Sequence, residues 1–187
     1  NCGGTGEIIA NPCRKCRGEG RVDEKRKLNV KIPAGVETGT KIRLESEGEA
    51  GLRGAANGDL YIFVVVQDHE FFIRDSSDLL CKVPVLFTTA AIGGKVEIPT
   101  IAGKKVELKI PSGTQAADKF RLSGNGMPIL NSGRKGDMYV EVAIEVPVNL
   151  NAKQKDLMQQ LEEEIKNSPD AMPETNDFFK RFKSFFK

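Results

Sequence analysis

Three of the four cysteines crowd the first sixteen residues, at Cys2, Cys13 and Cys16, while Cys81 stands apart in the apolar run LLCKVPVLF. Cys13-Arg14-Lys15-Cys16-Arg17-Gly18-Glu19-Gly20 is a Cys-x-x-Cys-x-Gly-x-Gly phrase. That spacing brings two thiolates to one Zn²⁺ from a tight turn, and the glycines let the backbone fold back beneath the metal. Cys2-Gly3-Gly4-Thr5-Gly6 reads as the tail of a second such phrase whose first cysteine would precede residue 1. Tetrahedral zinc wants four ligands, so sites built on Cys2, Cys13 and Cys16 are expected to be incomplete, with no zinc or a partial complement. A thiol-disulfide oxidoreductase acting through Cys13 and Cys16 is the rival reading, but it needs a βαβ setting that the pattern around them lacks. Cys81 reads as a small buried hydrophobe.

The chain has one histidine, His69, which leaves little material for a Ser-His or Cys-His nucleophile. No catalytic residue is assigned, and the chain is read as a non-enzyme.

The elements that must position these residues are mostly strands. Leu28, Val30 and Ile32 alternate with Lys27, Asn29 and Lys31, the period of a half-buried strand. Ile42 and Leu44 alternate with charged residues in a second strand. A glycine-rich loop from Gly48 to Gly58 leads to a third, Leu60–Val66. Sliding the chain by 78 residues lays 30–66 over 108–144 without a gap, with 13 identities in 37 positions. They include Ile32/Ile110, Pro33/Pro111, Gly35/Gly113, Lys41/Lys119, Arg43/Arg121, Gly48/Gly126, Gly58/Gly136, Asp59/Asp137 and Tyr61/Tyr139. A common strand-turn phrase would explain Lys-Ile-Pro-x-Gly. It would not explain the Gly-Asp-x-Tyr run recurring 26 residues later in both copies, so the pattern predicts a duplicated β unit.

Leu79–Phe87 and Lys95–Ile98 predict further strands, with a short helix or turn over 88–92 ended by Gly93-Gly94. Asn151, with Gln154 three residues on, predicts a capped helix through Lys166. Leu157, Met158, Leu161 and Ile165 form its apolar stripe. Ser168-Pro169 ends it, and DFFKRFKSFFK then repeats phenylalanine at helical spacing among Lys180, Arg181 and Lys183.

Bulk properties narrow the function classes. Net charge is +2, which gives a nucleic-acid partner no support. No apolar run reaches the ~18 residues of a membrane span, and no signal-peptide pattern opens the sequence. Clustered cysteines in that setting read as metal ligands, and the location expected is cytoplasmic.

The Cys-x-x-Cys-x-Gly-x-Gly phrase is followed by KLNVKIPAGVETGTKIRLESEGEAG, NGDLYIFVVV, DHEFFIRDSSDL and AAIGGKVEIPT. In this order the run resembles the C-terminal half of the DnaJ family of zinc-containing, type I J-domain co-chaperones. The resemblance implies a mainly β fold of two tandem, related β-sandwich-like domains, with a short cysteine-rich N-terminal remnant and a C-terminal helical dimerisation segment. The implied division is a zinc-domain remnant over 1–22, a client-binding β-domain over 23–85, a second β-domain over 86–147 and a dimerisation segment over 148–187. It also implies that the J domain, the Gly/Phe linker and the first β-domain's opening strands are not in this sequence. In the family, Cys13 and Cys16 would serve one zinc and Cys2 another.

The implied function is binding of unfolded polypeptide clients, as a homodimer, by a co-chaperone that works with a DnaK-type chaperone. Neither nucleic acid nor membrane is expected as a partner. An extended client would add as a strand beside an apolar groove, where main-chain hydrogen bonds are sequence-independent and pockets select apolar side chains. The matching positions are Leu28, Val30, Ile32, Ile42, Leu44 and Phe72, although Val30 and Ile32 read better as core. The rings of the terminal segment must be covered by the chain's own β unit, by a second copy or by a membrane surface; the resemblance implies a second copy, with the dimer joint at Leu157, Met158, Leu161, Ile165, Phe178, Phe179 and Phe182. A purely structural dimerisation module is the second alternative.

Overall fold

The computed structural model describes residues 11–18 and 20–186. Its elements run β1 (Lys41–Leu44), β2 (Leu60–Phe63), β3 (Phe72–Asp75), β4 (Asp78–Leu86), α1 (Phe87–Ile92), β5 (Gly94–Pro99), β6 (Lys105–Ile110), β7 (Lys119–Leu122), β8 (Met138–Glu145), α2 (Ala152–Asn167) and α3 (Pro173–Phe185). The expected mainly β fold with a helical C-terminal segment is therefore what the structure shows. The chain divides into two compact units, Asn1–Ile144 and Glu145–Lys187.

Within the first unit the duplication holds at the level of single hydrogen bonds. β1 pairs antiparallel with β2, placing Ile42 opposite Ile62 and Arg43 opposite Tyr61. β7 pairs with β8 in the same register 78 residues on, Phe120 opposite Val140 and Arg121 opposite Tyr139. Outside the strands, the Gly39 N–H donates to the Val64 carbonyl and the Ala117 N–H to that of Val142. The Gly48 N–H donates to Gly58, and the Gly126 N–H to Gly136, both at 2.8 Å. The recurring aspartate has a structural job in both copies. Asp59 accepts from the Ser46 N–H at 3.0 Å, and Asp137 from the Gly124 N–H at 2.9 Å. Ser46 and Gly124 both have left-handed backbone there, φ 58° and 69°, and the carboxylate ties down the amide that this turn exposes.

β8 lies inside a four-stranded sheet ordered β3-β4-β8-β7, and β5 and β6 form a separate hairpin. Met138, Val140 and Val142 from β8 pack with Leu79, Cys81 and Val85 from β4 and with Ile98, Leu108 and Ile110 from the hairpin. That alternation in each strand is the core of the unit. β4 spans the boundary expected at 85/86, so the second copy draws its sheet from residues on both sides of it.

One expected strand is missing. Residues 27–32 form no strand, although their counterparts 105–110 are β6. β6 is held by β5, Gly94–Pro99, and the positions 78 residues before β5 are 16–21. That stretch is the cysteine-rich turn, with Gly18 and Gly20 at φ 96° and 77°, and it offers no alternating apolar partner. A strand with no neighbour to satisfy its backbone has no reason to persist.

The short helix expected at 88–92 is α1, ended by Gly93 at φ 90°. In the second unit, Asn151 and Gln154 form the expected reciprocal cap on α2, each bond 2.9 Å. In α3 the rings of Phe178 and Phe182 stack, and Phe182 meets Phe186 edge-on.

Candidate binding groove

A groove of about 830 Å³ opens in the first unit, where the two copies of the repeat meet. Glu37, Thr38 and Val66 come from the first copy. Phe72, Ile73 and Arg74 come from β3, Leu79 from β4, Ile101 from the turn between β5 and β6, and Met127 from a loop of the second copy. β3 is the edge strand of its sheet, so one row of its backbone groups has no ladder partner among the described residues.

Local sequence explains the lining. His69-Glu70-Phe71-Phe72 turns the chain into β3, and the His69 Nδ1 accepts from the Phe71 N–H at 3.1 Å. The His69 ring lies 5.0 Å from the Phe72 ring, so the single histidine organises an aromatic corner. Strand alternation then sends Phe72 inward, 6% exposed, and leaves Ile73 67% exposed. Phe72, expected as a client contact, belongs to a strand and packs in the core. Its partner across the ladder is Cys81. Truncating Phe72 would therefore cost stability as well as groove surface.

The other expected client-contact residues lie elsewhere. Ile42 and Leu44 sit half-buried on β1, Val30 is half-buried, and Leu28 and Ile32 are exposed on the segment without strand structure. None of these five lines the groove, so the structure brings only Phe72 of the six to it. The sequence reading missed Val66, Ile73, Ile101 and Met127. Ile73 was accessible to it, because reading FFIRD as a strand places alternate residues on opposite faces. Met127 was visible as a difference between copies, since its repeat counterpart is Glu49.

The cysteine turn is built as a knuckle. The Arg17 N–H donates to the Cys13 carbonyl at 2.8 Å, and Arg17 and Gly18 both have positive φ. The backbone N–H groups of Cys16 and Lys15 and the Cys16 thiol hold the Cys13 thiol below its ordinary pKa, favouring the thiolate that binds metal or reacts. Two thiols on one turn fit half of a tetrahedral zinc site. Among the described residues no group of three or more His, Cys, Asp or Glu converges, and Cys2 lies outside them. Cys81 is buried as expected, and burial pushes its thiol pKa up.

In the second unit, Leu157 and Leu161 of α2 are exposed, Met158 and Ile165 half-buried, and Phe178, Phe179 and Phe182 of α3 all more than half exposed. No helix among the described residues is long and apolar enough to cross a membrane.

The family model described as the DnaJ C terminal domain matches residues 5–147. The Chaperone protein DnaJ of Rhizobium meliloti (strain 1021) is 52% identical over 185 residues, covering 99% of this chain and 48% of that protein. That of Chelativorans sp. (strain BNC1) is 51% identical over 186 residues, covering 100% and 49%. That of Brucella suis biovar 1 (strain 1330) is 50% identical over 186 residues, again covering 100% and 49%. The chain spans about half the length of the curated relatives it matches.

Proposed function

The chain belongs to the DnaJ C-terminal domain family, and on that premise we propose that it holds non-native polypeptides as the client-binding, dimerising part of a DnaJ-type co-chaperone. The observation that carries this reading is the groove at the copy junction. Exposed Ile73 and Val66 line it together with buried Phe72 and Leu79, and Ile73 and Phe72 belong to the edge strand β3. An edge strand supplies main-chain donors and acceptors to any extended chain, and adjacent apolar side chains favour segments that a folded protein would bury. Such a site discriminates unfolded from folded chain without reading a sequence.

In this reading the intact protein works with a DnaK-type ATPase chaperone in the cytoplasm and performs no covalent chemistry of its own. Residues 1–22 end a zinc domain, and Cys13 and Cys16 contribute two thiolates to a metal completed by ligands elsewhere in the intact protein. Residues 23–85 and 86–147 are the two β-domains, and 148–187 join two copies through the exposed faces of α2 and α3.

Titration of a fluorescently labelled, permanently unfolded polypeptide, followed by anisotropy, tests the binding. Saturable binding is expected, weakened at least about tenfold by Ile73→Asp, which puts an unpaired charge on an apolar surface. Signal that never saturates would leave the structural-module alternative standing. Deleting residues 151–187 should leave a chain that sediments as a monomer; a shortened chain that still sediments as a dimer would refute the dimer joint.

A further inference from the structure

The turn Pro33-Ala34-Gly35-Val36-Glu37 and its repeat counterpart, Pro111–Gln115, share the proline and a left-handed glycine but dock differently. In the second copy, the Gly113 and Thr114 N–H groups donate to the Ala91 and Ala90 carbonyls at the end of α1, at 3.2 and 3.1 Å. In the first copy, the turn presents carbonyls, and Arg74 of β3 reaches across to them. Arg74 Nη1 donates to the Val36 carbonyl at 2.7 Å and Nη2 to the Gly35 carbonyl at 3.0 Å. Nη2 also lies 3.5 Å from the Glu37 carboxylate, and Nε donates to the Ser76 carbonyl at 2.7 Å. The side chain is only 20% exposed. On its other side the same turn presses against the second copy's loop, where a Cβ on Gly35 would run into the Pro128 carbonyl and lie 2.9 Å from the Leu130 nitrogen. A Cβ on Gly113 would meet nothing within 4 Å.

The 78-residue repeat does not contain this device. The position 78 residues after Arg74 is Ala152, in α2. A contact that only one copy makes is not needed to fold the repeated unit, and this one runs from the second copy's sheet to the first copy's turn. Glu37 and Thr38, which follow the clamped carbonyls directly, form the first copy's wall of the groove, and Thr38 accepts the Val66 N–H at 2.9 Å. Arg74 thus reaches one wall while standing on the strand that forms the other.

We propose that Arg74 is a positioning residue for client binding: its guanidinium latches the Gly35–Glu37 turn to β3 and fixes the spacing of the groove walls. The proposal rests on the polypeptide-binding reading of that groove. Arginine suits the task because its planar fork offers donors on three nitrogens in fixed directions, whereas a lysine ammonium gathers its donors on one freely rotating nitrogen.

Arg74→Lys in the full chain tests it, since the charge and the aliphatic stem are kept and the fork is lost. Hydrogen exchange without any client should quicken over residues 33–40 and 64–71 and stay unchanged over β8. Affinity for the labelled unfolded polypeptide should fall about tenfold, the scale of lost hydrogen bonds to a charged group. In Arg74→Ala, millimolar guanidinium should restore part of the binding, and ammonium at equal ionic strength should not. Unchanged exchange over 33–40 would overturn the latch. Faster exchange with undiminished binding, exchange that also rises across β8, or an absence of guanidinium rescue would overturn the positioning role. If the unsubstituted chain shows no saturable binding while the exchange contrast persists, the fault lies in the binding reading, and the positioning role falls with it.

Discussion

In the second copy β8 is held between β7 and β4, and Met138, Val140 and Val142 are fully covered. In the first copy β2 has β1 as its one partner among the described residues, and the matching Leu60, Ile62 and Val64 are only half-buried. Strand register and several turn hydrogen bonds correspond between the copies, yet the surroundings of those bonds do not. A repeated lysine shows the same divergence. Lys119 lies 3.8 Å from Glu141, whereas Lys41 lies over the rings of Tyr61 and Phe63, because Phe63 stands where the second copy has Glu141. Shared residues set the backbone of the unit, and the unshared ones decide what each copy faces. The groove and its arginine belong to the unshared set.

The largest test of this contrast is truncation at equivalent core positions. Met138→Ala should cost about 2–5 kcal/mol in urea unfolding, as expected for a fully buried large side chain, and Leu60→Ala less than about half of that. Equal losses would mean that the first copy is as well packed as the second. The paired glycines come next. Gly113→Ala should cost about 1–2 kcal/mol from left-handed backbone strain alone. Gly35→Ala should cost clearly more, because its new methyl also meets the loop at Pro128. The same loss at both would break the claim that the first copy's turn is pinned between neighbours.

How much of this was legible in the sequence follows the same division. The duplication, the Asn151 cap, the α1 stop at Gly93 and the burial of Cys81 rest on local patterns, and local patterns survive into structure. The strand at 27–32 had the right alternation, but a strand needs a partner. Its counterpart's partner, β5, is replaced by a cysteine turn at 16–21, a non-local fact. Phe72 was chosen as a groove residue and does line the groove, but from the core side, because strand parity makes Ile73 the exposed neighbour. Arg74 gave no signal at all, since nothing in FFIRD says that its acceptors lie nearly forty residues upstream.

Smaller effects separate the copies further. The Ser46 N–H, with help from the Arg43 guanidinium 2.8 Å away, holds the Asp59 carboxyl below the usual carboxylate range. A depressed folded pKa means that the carboxylate's contribution is present above the unfolded value of about 4 and is lost as pH falls through the folded one. The acid limb of the wild-type stability curve should therefore be steeper below about pH 4 than that of Asp59→Asn; superimposable curves would contradict it. The least effect on stability comes from thiol modification near neutral pH. Cys13 should react first with an alkylating reagent, and Cys81 only as the sheet opens. Early labelling of Cys81 would show that the second copy's core is looser than its packing implies.

The most direct measurement is a hydrogen-exchange footprint of the full chain with and without a saturating, permanently unfolded polypeptide. Protection is expected over residues 66–76 and 33–40, the two walls of the junction, with β5 and β6 unaffected. Protection confined to residues 94–110 or to α3, with the junction unchanged, would place the client elsewhere and contradict the assignment of the junction groove as the client site.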